Sequence, residues 1–202
     1  MSTATMKHAS TLQLERSVQC IGEELEAIAR RERWVIGEYV ENDDNHTIYT
    51  DAGVVEELLE EMTGTLIGTV QEALESGELE NPTGYESPFS DKEVLDIIQS
   101  IDDSDITRVL ESKDIISPAI MHDYFTDVLD IRYIVSHVGE CIDVEVAVAI
   151  GGPGIYVVTA DSAVKGYWGC DRATYPLSFD ARAEIREWGE ERYDLCRRCN
   201  WK

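Results

Sequence analysis

The chain has 202 residues, 43% of them hydrophobic, which is enough to bury a core and too many for a disordered acidic tail. Its 41 acidic residues outnumber 17 basic ones, a net charge of −24, which excludes free nucleic acid and anionic membranes as ligands because both require cationic contacts. No apolar run reaches the ~18 residues of a membrane span, the opening "MSTATMKHASTLQLERS" lacks the apolar middle of a signal peptide, and five scattered cysteines make no disulfide framework, so the chain reads as cytoplasmic with reduced thiols.

Ser10-Thr11-Leu12-Gln13 has the pattern of a capping box, and Leu14, Val18, Ile21, Leu25 and Ile28 follow at helical spacing, which predicts an amphipathic helix over 11–32. The runs "WVIGEYV" and "HTIYT" flank the turn-like "ENDDN" and suit a hairpin. Residues 52–76 read as a second helix, with Val55, Leu58, Leu59, Met62, Leu66, Val70 and Leu74 on one face and Glu56, Glu57, Glu60, Glu61, Glu72 and Glu75 on the other. Gly64 and Gly68 weaken its middle by ~1 kcal/mol each against alanine. The stretch "ESGELENPTGYESPFS" is a loop. Ser90 and Glu93 form a second capping box that opens a helix through Ile101. Ser104 is predicted to cap a shorter helix to Leu110. Ser117-Pro118 is predicted to open another to about Leu129, with Ile120, Tyr124, Phe125 and Val128 inward.

The texture then changes. "RYIVSHV", "CIDVEVAVAI", "GIYVVT" and "AVKGYWG" are four strand-like runs, the last two joined by the tight turn "ADSA". A final helix is predicted from Phe179 to Leu195, with Ile185, Trp188 and Leu195 toward the sheet. The expected fold is α+β: an acidic, mainly helical region over 1–130, then an antiparallel sheet of about four strands with one covering helix over 131–202.

The charge is not spread evenly. Residues 41–130 hold 24 acids and three bases (Lys92, Arg108 and Lys113), a net −21, whereas residues 1–40 carry −1 and residues 131–202 carry −2. Adaptation to high salt would acidify the last segment too, so the concentration belongs to the middle segment itself. Its densest run is "VVEELLEEM", residues 54–62. On a helix, Glu56, Glu57, Glu60 and Glu61 place about one charge per ~2 Å of axis, close to the ~1.7 Å per charge of duplex DNA. Glu72, Glu75, Asp102, Asp103 and Asp105 extend this candidate partner-binding surface. The ordinary alternative is a solvated helix face.

Other motifs carry less. Cys196-Arg-Arg-Cys199 has the spacing of half a zinc site but lacks a second pair, with only Cys141, Cys170 and His137 to complete it. Cys170 and His137 would make a catalytic pair, oriented by Asp171, only if the fold brings them together. "GGPG" lacks the lysine and helix of a phosphate loop, and the acidic runs "ENDDNHTIYTD" and "DDSDITRVLESKD" lack the sixth-position glycine of a calcium loop. No carboxylate pair stands out for acid–base work. No metal or cofactor is expected.

The segment "GGPGIYVVTADSAVKGYWGCDRATYPL", residues 151–177, resembles segments of small proteins from Gram-positive phages and plasmids. Some acidic proteins of that setting block CRISPR nucleases or restriction enzymes. The resemblance implies a mobile-element origin and transfers no site residue. Together with the charge it leads to the expected function: a non-enzymatic anti-CRISPR or anti-restriction inhibitor whose DNA-mimicking surface docks on a basic nucleic-acid-binding protein. The alternatives are an acidic adaptor that makes contact through Tyr85 and Phe89 of "NPTGYESPF", and a small cysteine-dependent enzyme.

Overall fold

The computed structural model of the protein describes residues 3–37 and 47–200. The chain forms two compact units, one of Met1–Arg30 with Ile120–Lys202, the other of Arg31–Ala119. The second unit is thus inserted in sequence into the first, and the chain does not divide at residue 130. The α+β class holds, but helices and strands alternate in a different order from the one predicted. No helix among the described residues is long and apolar enough to cross a membrane.

The first unit is built on a five-stranded antiparallel sheet of β3 (Asp130–Val135), β4 (Cys141–Ala149), β5 (Gly154–Val158), β6 (Ala163–Trp168) and β7 (Asp171–Pro176), in that order. One row of directly paired residues runs across all five strands: Ile131, Val146, Val157, Val164 and Tyr175. The three valines are fully buried. Strand residues alternate between faces, so this row marks the face that must be covered. Two helices cover it, α1 (Thr3–Ala29) along β6 and β7, and α7 (Phe179–Asn200) over β4. Leu14, Val18, Leu25 and Ile28 of α1 are buried, as the spacing predicts. The helix lies close because Gly22 has no side chain: the ring of Tyr175 fills the space a Cβ would take, and Val144 does the same beneath Gly189 of α7. Ile185 and Trp188 of α7 are buried, with Trp188 against Phe125 at 4.6 Å between ring centres, while Leu195 is exposed.

Several sequence expectations are corrected here. Residues 10–13 lie inside α1, not at its start. Ser10 and Thr11 instead donate to the Asp171 carboxylate, at 3.2 and 2.9 Å, which ties the helix to the start of β7. That fifth strand was not predicted, because "DRATYP" buries little on either face and ends in proline, the composition of an edge strand. The Ser117-Pro118 helix is absent. Ile116–Pro118 is a strand, and only Met121–Tyr124 (α6) is helical, with Phe125 buried and Ile120 exposed.

In the second unit, β1 (Trp34–Ile36) pairs antiparallel with β2 (Ile116–Pro118), so the segment's two ends meet. Pro118 is tolerated because each strand of a two-stranded sheet is an edge. Trp34 also bridges Tyr49, while the turn predicted between them lies outside the described residues. Four helices follow: α2 (Asp51–Glu61), α3 (Thr63–Ser76), α4 (Asp91–Ile98) and α5 (Asp103–Ser112). The single helix predicted over 52–76 breaks at Met62 (φ −128°, ψ 37°). The Thr63 hydroxyl takes the Leu59 carbonyl at that point, and Gly64 follows, so continuing the helix gains little. The break lets Val54, Val55 and Leu58 of α2 and Leu66, Val70 and Ala73 of α3 enter one core with Val94, Ile98, Ile106, Val109 and Leu110. The Ser90–Glu93 capping box is present, although α4 stops at Ile98 and not Ile101. Asp102, not Ser104, caps α5, accepting from the Ser104 backbone N–H at 2.9 Å, since Asp and Ser are equally good caps.

Glycine substitutions separate the two situations. Gly189→Ala drives a Cβ into Val144 and should destabilise the protein by ~1–3 kcal/mol. Gly68→Ala meets nothing within 4 Å in mid-helix and should stabilise by ~0.5–1 kcal/mol. Denaturant unfolding of both variants beside the parent checks the signs.

Candidate functional site

The unit Arg31–Ala119 holds 23 acidic and 5 basic residues, a net −18, against 18 and 12, a net −6, in the rest of the chain. The charge asymmetry therefore follows a structural unit. Its centre is α2. Burial of Val54, Val55 and Leu58 fixes the rotation of this helix, and residues three and four apart share a face. Glu56 and Glu60 thereby project opposite those three residues, while Glu57 flanks the buried stripe and Glu61 follows at the helix end, with Glu56, Glu60 and Glu61 exposed and Glu57 half-buried. Among the described residues, no basic side chain is ion-paired to any of the four.

Glu57 sits in the middle of this group. Its carboxyl is raised above the ordinary carboxylate range, first by partial burial, then by the charges of Glu61 and Glu60, by a shared hydrogen bond with Glu61, and by Glu56. Glu60 and Glu61 also occupy the last turn of α2, where the helix dipole favours a cation and none is present. Each of these causes opposes the charge on Glu57.

The other predicted residues are not part of this cluster. Glu72 pairs with Lys113 at 3.1 Å, and Glu75 accepts from Gln71 at 3.2 Å. Asp102 caps α5, and its carboxyl is held below the usual range by hydrogen bonds from the Ser104 side chain and backbone. Asp103 lies in the first turn of α5, and Asp105 pairs with Arg108 at 3.0 Å. Asp102 thus serves a cap and Glu72 and Asp105 serve ion pairs, whereas the α2 tetrad is the densest run of carboxylates without a paired base among the described residues. The loop after α3 adds exposed Glu78, Glu80 and Glu86, which carry no periodic signal in the sequence and emerge only from counting charge.

Two competing sites lose their geometry. Strands in an antiparallel sheet alternate in direction, so the β3–β4 turn holding His137 and the β6–β7 turn holding Cys170 lie at opposite ends of the sheet. They are also at least three strand spacings apart, ~14 Å. Both residues are exposed, and neither can act on the other. Cys196 and Cys199 are exposed near the end of α7, and among the described residues no three His, Cys, Asp or Glu side chains are placed to hold a metal. Of the aromatic loop, Tyr85 is exposed and donates to Asp96 at 3.4 Å, whereas Phe89 packs against the core and is not a free contact. A cavity of about 330 Å³ along α7, lined by Phe179, Arg182, Arg186, Glu187 and Glu190, has its arginines engaged by Asp143 and Glu190 and has no cysteine, serine or histidine in its lining.

The raised Glu57 carboxyl has a sign that can be read out. A folded-state value above the ordinary 4.5 means the folded chain holds this proton more tightly than the unfolded chain, so ionising it costs stability. Glu57→Gln should therefore raise the melting temperature at pH 7, and the advantage should shrink as pH falls and vanish below 4.5. Thermal melts of both proteins across pH 4–8 check this.

No protein family, no curated protein and no solved structure matches this chain.

Proposed function

We propose that the protein is a non-enzymatic inhibitor whose unit Arg31–Ala119 docks in the basic groove of a nucleic-acid-binding protein, of the kind found in CRISPR effectors and restriction nucleases. The observation that carries this reading is the α2 tetrad: four carboxylates within six residues, without a paired cation among the described residues, on a unit of net charge −18. Four charges along a rise of ~7.5 Å approximate the linear charge density of DNA, so a groove built for phosphates attracts this face by the same long-range field. A cationic groove also removes what the fold leaves unresolved, since Lys or Arg side chains would neutralise Glu57 and its neighbours. Such attraction raises the association rate and falls as salt screens it.

The acids already used for caps and local pairs, Asp102, Asp105 and Glu72, contribute less, because their lone pairs are engaged. Reversing the tetrad (Glu56→Lys, Glu57→Lys, Glu60→Lys, Glu61→Lys) should slow association with a CRISPR effector or restriction nuclease by about ten- to a thousandfold at low salt. The same change at Asp102, Asp105 and Glu72 should do less. Surface plasmon resonance over a salt series, with nuclease inhibition in parallel, measures both. Binding that ignores salt and survives the tetrad reversal would rule the mimic out.

A further inference from the structure

The five-stranded sheet ends in two unlike edges. At one, β7 presents Asp171 and Arg172, closes with Pro176 and lies against α1. Charge, proline and a covering helix are the usual means of blocking an edge. At the other, β3 pairs with β4 on one side and, among the described residues, with no strand on the other. It has neither lysine nor proline, and its one acid and one base neutralise each other: Arg132 lies 3.6 Å from Asp130 and 2.9 Å from Glu145. Around it Leu129, Ile134, Val135, Val138 and Ile142 are 40–62% exposed. The register shift near its end falls at Ile142 of β4, so β3 itself stays regular through Val135.

We propose that β3 is a self-association edge, on which a second copy of this chain pairs its own β3 antiparallel about a two-fold axis. The occupant follows from charge and self-complementarity. Two chains of −24 repel over most of their surface, and this neutral, apolar strip is where that repulsion is weakest. Side chains keep their faces only if the pairing is centred on a residue. Centring on Arg132 sets like charges opposite each other, which is unfavourable. Centring on Tyr133 sets Ile131 against Val135 and Arg132 against Ile134 of the second copy, and it uses five of the six residues of the strand. Tyr133 already packs against Tyr193, with ring centres 5.2 Å apart and planes tilted by 50°, so the second copy would extend an existing aromatic contact. Pairing of one short strand falls in the small interface class, below ~1,200 Å², so the dimer is weak and concentration-dependent.

Its salt response is opposite to that of docking on a basic groove, so the two readings fail separately. Sedimentation equilibrium of the full chain at about 0.05 M and about 0.5 M NaCl should show a monomer–dimer equilibrium that shifts toward dimer at high salt. Ile134→Lys with Val135→Lys should weaken it by roughly tenfold or more, and Thr174→Lys on β7 should not. Hydrogen exchange of the parent protein adds a test that needs no variant: β3 amides should gain protection as concentration rises. A monomer at every concentration and salt, a dimer that survives the double lysine change, or β3 protection independent of concentration would each overturn the proposal.

Discussion

The unit Arg31–Ala119 depends on one balance: an apolar core must hold a shell of like charge together. A fully buried Val or Leu contributes ~1.5–3 kcal/mol, and an exposed like-charge contact costs a fraction of that. Val54, Val55, Leu58, Leu66 and Val70 are all buried, so the core prevails and the repulsion persists in the folded state. The break at Met62 belongs to the same balance. It turns α3 back onto the core that α2 began, and it leaves Glu60 and Glu61 at a helix end whose last turn holds no basic residue.

The other unit solves a different problem. Its sheet exposes one apolar face, and the covering helices come from both ends of the chain, α1 from the start and α7 from the finish. Hydrogen bonds fasten these helices at defined points. Ser10 and Thr11 hold Asp171, and the half-buried Arg182 reaches Asp143. Glu26, itself buried, accepts from the Ser178 backbone N–H just before α7 begins. A long-range fold of this kind explains why the acidic unit can be inserted between residues 30 and 120: its own ends are joined by β1 and β2.

The chemistry separates in the same way. Catalytic readings required residues from turns that the antiparallel sheet places at opposite ends. The electrostatic reading required neighbours within two turns of one helix, which local geometry supplies without help. The contrast accounts for what was legible. Glu56, Glu57, Glu60 and Glu61 are close in sequence and close in space, whereas Asp102 and Asp105 turned out to serve a cap and an ion pair that only the helix boundary reveals.

The amino-acid sequence by itself determined the local elements with strong periodic or capping signals: the apolar stripe of α1, the Ser90–Glu93 box, strands β3 to β6, and the acidic face of α2. These rest on interactions within a few residues. Only the tertiary structure decided the partner of each element. It assigned α1 to a sheet more than a hundred residues away, made a strand of Ile116–Pro118 by pairing it with Trp34–Ile36, and recruited "DRATYP" as an edge. It also decided which carboxylates remain without a counter-charge. The reason is the same in each case: burial and pairing are long-range, and a short weakly apolar segment takes its conformation from the surface it meets.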